Sequence, residues 1–198
     1  MLKDVLFIAI ERKSHPVSRA IGMVEFKTIS AGVTAADAMV KAAAVELIEA
    51  QAVCPGKYIA VITGNLSAVD AAVETAKKQY EEQLIDSFVL GNPHVGIFPA
   101  IYGTTQIDHV SSLGILETYD AAAIIVAADA AAKTADVELI ELRIAKGLCG
   151  KSYLLLCGEV SAVTAAIDRA KNEAKSGGMY LDSSVIAHPD PQICKSIL

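Results

Sequence analysis

Two apolar runs, Val45–Val53 and Tyr58–Ile62, flank the short turn Cys54-Pro55-Gly56-Lys57 and read as neighbouring strands. An earlier run, Ala20–Phe26, has the same character. Between them, the Ala-rich stretch from about Thr34 to Ala43 predicts a helix. After Gly64 a second helix is predicted over Ser67–Gln83, with Ser67 as a favoured first cap, and a short strand over Ser87–Leu90. The order is β-α-β-β-α-β, the ferredoxin-like arrangement of the α+β class.

The same order returns in the second half. Ala35–Glu49 and Ala127–Glu141 are identical at 11 of 15 positions, at an offset of 92. Upstream, Ile21-Gly22-Met23-Val24-Glu25 matches Leu113-Gly114-Ile115-Leu116-Glu117 at the same offset. Downstream, Gly64–Val69 matches Gly158–Val163 at an offset of 94. Two residues are therefore gained at the turn, where the second copy reads Leu148-Cys149-Gly150-Lys151. Asp86-Ser87 and Asp182-Ser183 match at 96. The second copy is predicted to hold strands over Leu113–Thr118, Val137–Ala145, Tyr153–Cys157 and Ser184–Ala187, with helices over Ile124–Ala135 and Ser161–Lys175. The expected organisation is an N-terminal extension (residues 1–19), a first domain (20–96), a linker (97–112) and a second domain (113–198). Pro93, Pro99 and Gly103 act as breakers between the copies.

Composition narrows the function. Just over half of the 198 residues are hydrophobic (53%), aromatics make up 5%, and there is no Trp, so few rings are available to stack bases or sugars. A net charge of −6 argues against nucleic acid or an anionic membrane as partner. The longest apolar runs, such as Val5–Ile10 and Ala121–Ala128, fall short of a membrane span, and the N-terminus lacks a cleavage site of signal-peptide type. A cytosolic protein is expected. Four widely spaced cysteines (Cys54, Cys149, Cys157, Cys194) do not form a disulfide framework. His15, His94, His109 and His188 are scattered, without the spacing of a metal site. Glu25 and Glu117 recur because the chain is duplicated, and no catalytic constellation is evident.

The paired Gly-x-x-Glu strands, the Ala-Ala-Asp-Ala-x-x-Lys helices, the Val-Glu-Leu-Ile strands and the Ser-Ala-Val helix starts resemble the bacterial microcompartment shell domain. Two copies in one chain resemble the tandem-domain shell proteins, and the Cys-Pro-Gly-Lys turn is similar to the type found in propanediol-utilisation compartments. The resemblance implies a structural, non-enzymatic tile. Three chains would form a pseudohexameric trimer that joins other, hexameric shell proteins in a coat within the cytoplasm, around enzymes that include redox enzymes. It also implies a central pore lined by Cys54, Pro55, Gly56, Lys57, Leu148, Cys149 and Gly150. At Cys54 it implies an iron–sulfur cluster, 4Fe-4S in type, shared by three chains on the trimer axis.

One chain lacks the clustered cysteines that usually hold such a cluster. A threefold axis supplies three thiolates from one position, leaving a fourth ligand to water, a small molecule or an external donor. Pro55 stiffens the turn, Gly56 permits an unusual backbone angle, and Lys57 adds positive charge near the pore. Without the resemblance, Cys54 reads as an ordinary small turn residue. Cys149 aligns with Pro55 and is expected to line the pore outside the ligand set; Cys157 is expected in the core, and Cys194 is incidental. Lys41 and Lys133 occupy the family's tile-edge position, although solvated helix lysines read the same way. The family's edge arginine is missing, which leaves Asn92 and His188 for lateral packing. Two other functions fit the same elements: a small-molecule-binding regulatory trimer of ferredoxin-like domains, and a redox enzyme with Cys54 as nucleophile, for which the sequence names no base.

Overall fold

The structure is a computed structural model, and it describes residues 19–107 and 109–197. The expectations for residues 1–18, the N-terminal extension and His15 among them, lie outside the described residues. The first copy runs β1 (Arg19–Phe26), α1 (Ile29–Ala42), β2 (Val45–Val53), β3 (Lys57–Asn65), α2 (Leu66–Gln79) and β4 (Leu84–Gly91). A short helix α3 (Ile97–Tyr102) follows. The second copy runs β5 (Ser112–Thr118), α4 (Ala121–Thr134), β6 (Val137–Arg143), β7 (Ser152–Gly158), α5 (Val160–Ser176) and β8 (Tyr180–Ala187), with a terminal helix α6 (Pro191–Ile197).

Each copy folds into one antiparallel four-stranded sheet, in the orders β2-β3-β1-β4 and β6-β7-β5-β8. This is the ferredoxin-like order expected from the sequence. Residues of alternate phase along β1 and β3 face opposite ways. Ala20, Val24, Phe26, Tyr58, Ala60 and Ile62 meet α1 and α2 on one face. Gly22 lies under α2, where an added Cβ would sit 2.6 Å from a Val69 methyl; Gly114 repeats this under α5, 2.8 Å from Ile167. Any side chain at either position would push the helix off the sheet.

The other face of the first sheet is also covered. Ile21, Met23, Ile59 and Val61 share one apolar cluster with Ile97 and Ala100 of α3 and Ile124, Ile125 and Ala128 of α4. The first sheet is thus held between its own helices and the second copy, which is why β3 is apolar in both phases. The matching face of the second sheet (Leu113, Ile140, Leu155, Cys157) is covered instead by Ile107 and Val110 of the connection and by Cys194 and Ile197 of α6.

Several elements differ from the sequence expectation: α2 runs from Leu66 to Gln79, with Asn65 rather than Ser67 before its first turn, and α6 has no counterpart in that expectation. α1 begins five residues early, because the Thr28 hydroxyl caps it by accepting the Ala31 N–H at 3.3 Å. The breakers between the copies frame a helix rather than prevent one. Pro99 falls in the first turn of α3, where no N–H is needed, and Gly103 ends the helix with φ of 62°.

Candidate functional site: the paired turns and the domain junction

Cys54 stands at the tip of the β2–β3 hairpin, half-buried, next to a cis Cys54–Pro55 peptide bond. Gly56 closes the turn by donating its N–H to the Val53 carbonyl at 2.9 Å. Its φ of 98° is a conformation that favours glycine. Lys57 does not present a free charge: its ammonium lies 3.0 Å from the buried Glu25 carboxylate on β1. That pair ties the base of the hairpin to the centre of the sheet. Asp120, which caps α4 by accepting the Ala123 N–H at 2.7 Å, lies nearby. Burial raises its pKa, and the charges of Asp86 and Glu25 add to the shift, against Lys57 and the cap bond.

The corresponding turn of the second copy is longer, and four of its residues have positive φ: Ala145 (53°), Gly147 (74°), Cys149 (54°) and Gly150 (88°). It is closed by the Lys151 N–H on the Leu148 carbonyl at 3.1 Å and by the Ala145 N–H on the Ser152 hydroxyl at 3.0 Å. Cys149 is exposed and Leu148 half-exposed. Gly150 is buried, and a Cβ there would lie 3.6 Å from the Cys54 carbonyl oxygen. The two turns, about 95 residues apart in sequence, therefore abut in one chain.

The donor chemistry at Cys54 suits iron, since a partly exposed thiolate is a soft ligand. Among the described residues, however, no three His, Cys, Asp or Glu gather into a set that could hold a metal. The residues fit a cluster only where the Cys54 turns of several chains converge. Cys157 is buried, with its thiol pushed up to about 11, chiefly by burial and further by Glu138 and Cys194. Cys194 is not incidental to the fold, because it packs against the same apolar cluster.

The second part of the site is the junction between the copies. Asp129 on α4 is 6% exposed. One of its oxygens accepts the His94 N–H and the other the Lys133 ammonium, both at 2.7 Å. Lys133 also donates to the Asn92 carbonyl at 2.9 Å. Asn92 and Lys133 thus meet, and the loop after β4 is tied to α4. The other copy of this arrangement stays open among the described residues. Lys41 pairs with Asp37 at 2.6 Å on the exposed side of α1. His188 repeats the backbone of Asn92, with φ of 55° against 52°, and donates its N–H to the Ser111 carbonyl at 3.1 Å.

Apolar residues follow the same contrast. Ala121, Ile125 and Ala132 on α4 are 1%, 0% and 8% exposed, while their counterparts Ile29, Val33 and Val40 on α1 are 47%, 50% and 40% exposed. The sequence reading passed over Asp129; its place four residues before Lys133 in the repeated helix motif was the available signal.

A cleft of about 240 Å³ opens near the junction, lined by Glu49, Gln51, Tyr102, Glu141, Arg143 and Lys146 among others. Its charges are largely satisfied within the chain. Arg143 and the Tyr153 hydroxyl both donate to Glu141, and Lys146 opposes the burial that raises the Glu49 pKa. This weighs against a ligand pocket of the regulatory kind. No helix among the described residues is long and apolar enough to cross a membrane.

A family model described as the BMC domain matches the chain twice, at residues 20–93 and 112–189. The bacterial microcompartment shell protein PduT of Citrobacter freundii is 37% identical over 92% of this chain and 99% of its own length. The carboxysome assembly protein CcmO of Synechocystis is 30% identical over 83% of this chain and 59% of its own length. Among solved structures, a microcompartment protein from Desulfitobacterium hafniense DCB superposes with a TM-score of 0.87 at 42% identity, covering 90% of this chain and 99% of that one. The fused permuted hexameric shell protein MSM0275 shares the fold, with a TM-score of 0.63 at 20% identity, over 82% of this chain and 87% of that one.

Proposed function

The chain belongs to the bacterial microcompartment shell family, with two BMC domains in tandem, and from that premise we propose that three copies close into a ring whose centre is lined by the Cys54 and Cys149 turns. Its role is structural, as a component of the microcompartment shell. The observation that carries the ring is the contrast between α4 and α1. Within the chain, α4 and the loop after β4 form a finished junction. The same surfaces recur on α1 and after β8, and among the described residues α1 stays uncovered: it exposes Ile29, Val33 and Val40, and Asp37 and Lys41 face solvent. Such head-to-tail surfaces are satisfied by further copies, and a rotation that closes gives a ring. Three chains supply six domains.

In that ring each chain brings one Cys54 thiolate to the axis. Three thiolates there would hold an iron–sulfur cluster, which supplies one-electron transfer across the shell or can be delivered to redox enzymes inside. The chain's own part is positional. Glu25 holds Lys57 and with it the hairpin base, Gly56 lets the tip turn back, and the close approach of Gly150 to the Cys54 carbonyl sets the spacing of neighbouring turns. Pro55, Leu148 and Cys149 complete the lining. Lys41, Lys133, Asn92 and His188 lie where the junctions reach the outside, and there they would contact other shell tiles.

The test is an electron paramagnetic resonance spectrum of anaerobically purified protein, with iron and sulfide assayed on the same sample. The expected result is a cluster signal at about one cluster per three chains, lost in Cys54→Ser. A trimer without iron, even after reconstitution, overturns the cluster and leaves a tile with a thiol-lined pore.

A further inference from the structure

The junction has a third component. α3 lies along β6: Ile97 and Ala100 are buried in the same cluster as Leu139 and Leu142, and a Cβ on Gly96 would lie 3.8 Å from Leu139. α3 follows β4 as α6 follows β8. The shared backbone of Asn92 and His188 sets the correspondence, so that Gln192 answers to Gly96 and Ile193 to Ile97. The strand that answers to β6 is β2, and among the described residues its Leu47 is left uncovered. Leu139 is 2% exposed and its counterpart Leu47 is 42% exposed. Ile97 is fully buried and its counterpart Ile193 is 48% exposed.

We propose that α6 docks on β2 of the next copy, covering Leu47 with Gln192 and Ile193 as α3 covers Leu139 within the chain. The partner is a second copy of this chain, and the interface continues the junction already formed between the domains. This rests on the ring reading and adds a surface to it. The proposal also accounts for the present seat of α6. In the single chain Cys194 and Ile197 rest on the outer face of the second sheet, against Leu113, Ile140, Leu155 and Cys157. The duplication assigns that face to α1 of a neighbouring copy, just as α4 takes the matching face of the first sheet. Ring closure therefore exchanges one occupant for another: α1 of the neighbour arrives, and α6 leaves its own sheet for the neighbour's β2.

A double variant, Leu47→Cys with Gln192→Cys, tests the contact in the full chain. Both positions are exposed, so the chain folds as before. After mild oxidation, covalent dimers and trimers are expected on a non-reducing gel, and digestion should yield a disulfide-linked peptide pair containing positions 47 and 192. Neither single variant should give that pair. In parallel, Ile193→Asp should raise the concentration at which the ring dissociates by about tenfold, the loss expected for one buried aliphatic side chain. A trimer by sedimentation that forms no 47–192 link overturns the docking and leaves the ring intact. A wild-type chain that stays monomeric at every concentration overturns the ring and the docking together. A 47–192 link within one chain also overturns the proposal, because α6 would then reach its own β2.

Discussion

Asp129 and Asp37 are the same residue in two copies of one motif, and replacing each by alanine should have opposite consequences. Asp129 accepts two bonds at 2.7 Å, from the His94 N–H and the Lys133 ammonium. In Asp129→Ala the His94 N–H loses its acceptor at the junction, at about 1–3 kcal/mol. Lys133 is partly exposed and recovers hydration, so its loss adds no more than about 1 kcal/mol. The sum spans about 1–4 kcal/mol; its middle, about 2–3 kcal/mol, lowers the melting temperature by about 5–10 °C for a chain of this length. Asp37 sits in an exposed i,i+4 pair, so within a single chain Asp37→Ala costs about 0.3–0.5 kcal/mol.

Between chains the position is different. If the junction repeats, Asp37 receives the Asp190 N–H of the neighbour and Lys41 its His188 carbonyl. Loss of about 2–3 kcal/mol per interface weakens each one by about 30- to 150-fold. Sedimentation velocity over a dilution series reads the association, and circular dichroism melts read the fold. Asp129→Ala should act mainly on the melt and Asp37→Ala mainly on the association. Unchanged sedimentation in Asp37→Ala, alongside a lowered melt in Asp129→Ala, would falsify the equivalence of the two junctions.

Two further outcomes follow from titratable groups. Burial raises the Asp120 pKa above its ordinary value of 3.8, so the folded state favours the protonated form. The stability linked to this group is present below that ordinary value and is lost as pH rises through the raised folded value. Asn keeps the helix cap without the charge, so melts of Asp120→Asn should gain on wild type as pH rises through this window; a pH-independent difference would count against it. Thiol alkylation with peptide mass spectrometry should label exposed Cys149 first and Cys157 last, only on unfolding. Burial and a thiol pushed up to about 11 both protect Cys157, and comparable native rates at the two sites would contradict this.

Much of the fold was legible because the chain states it twice. The identical stretches fixed the helix–strand pairs, and the slip in offset placed two extra residues at the second turn, where non-glycine Ala145 and Cys149 take up positive φ. What could not be read was which copy of each surface is buried. Asp129 and Asp37 have nearly the same neighbours in sequence, yet among the described residues only Asp129 meets a distant loop. The apolar run in β3 reads as a strand, but what covers its second face, α3 and α4, lies tens of residues away. Lys57 read as a free charge because its partner Glu25 lies on another strand. α3 was hidden by Pro99 and Gly103, which break a helix in its interior but suit its two ends.

If three chains close the proposed ring, the covalent link between the copies also changes the order of the assembly reaction. A ring of six separate domains requires six seams, all formed by encounter in solution. In a ring of three tandem chains, half of the seams exist before any two molecules meet, at the high local concentration that a short connection imposes. The two kinds of seam are then free to diverge in composition. The internal one uses Ala121, Ile125 and Ala132, while the external one offers Ile29, Val33 and Val40, bulkier at the first and last of the three positions. Only the external seam chooses its partner, so discrimination between this chain and other shell proteins can evolve on α1 without disturbing the fold of either domain.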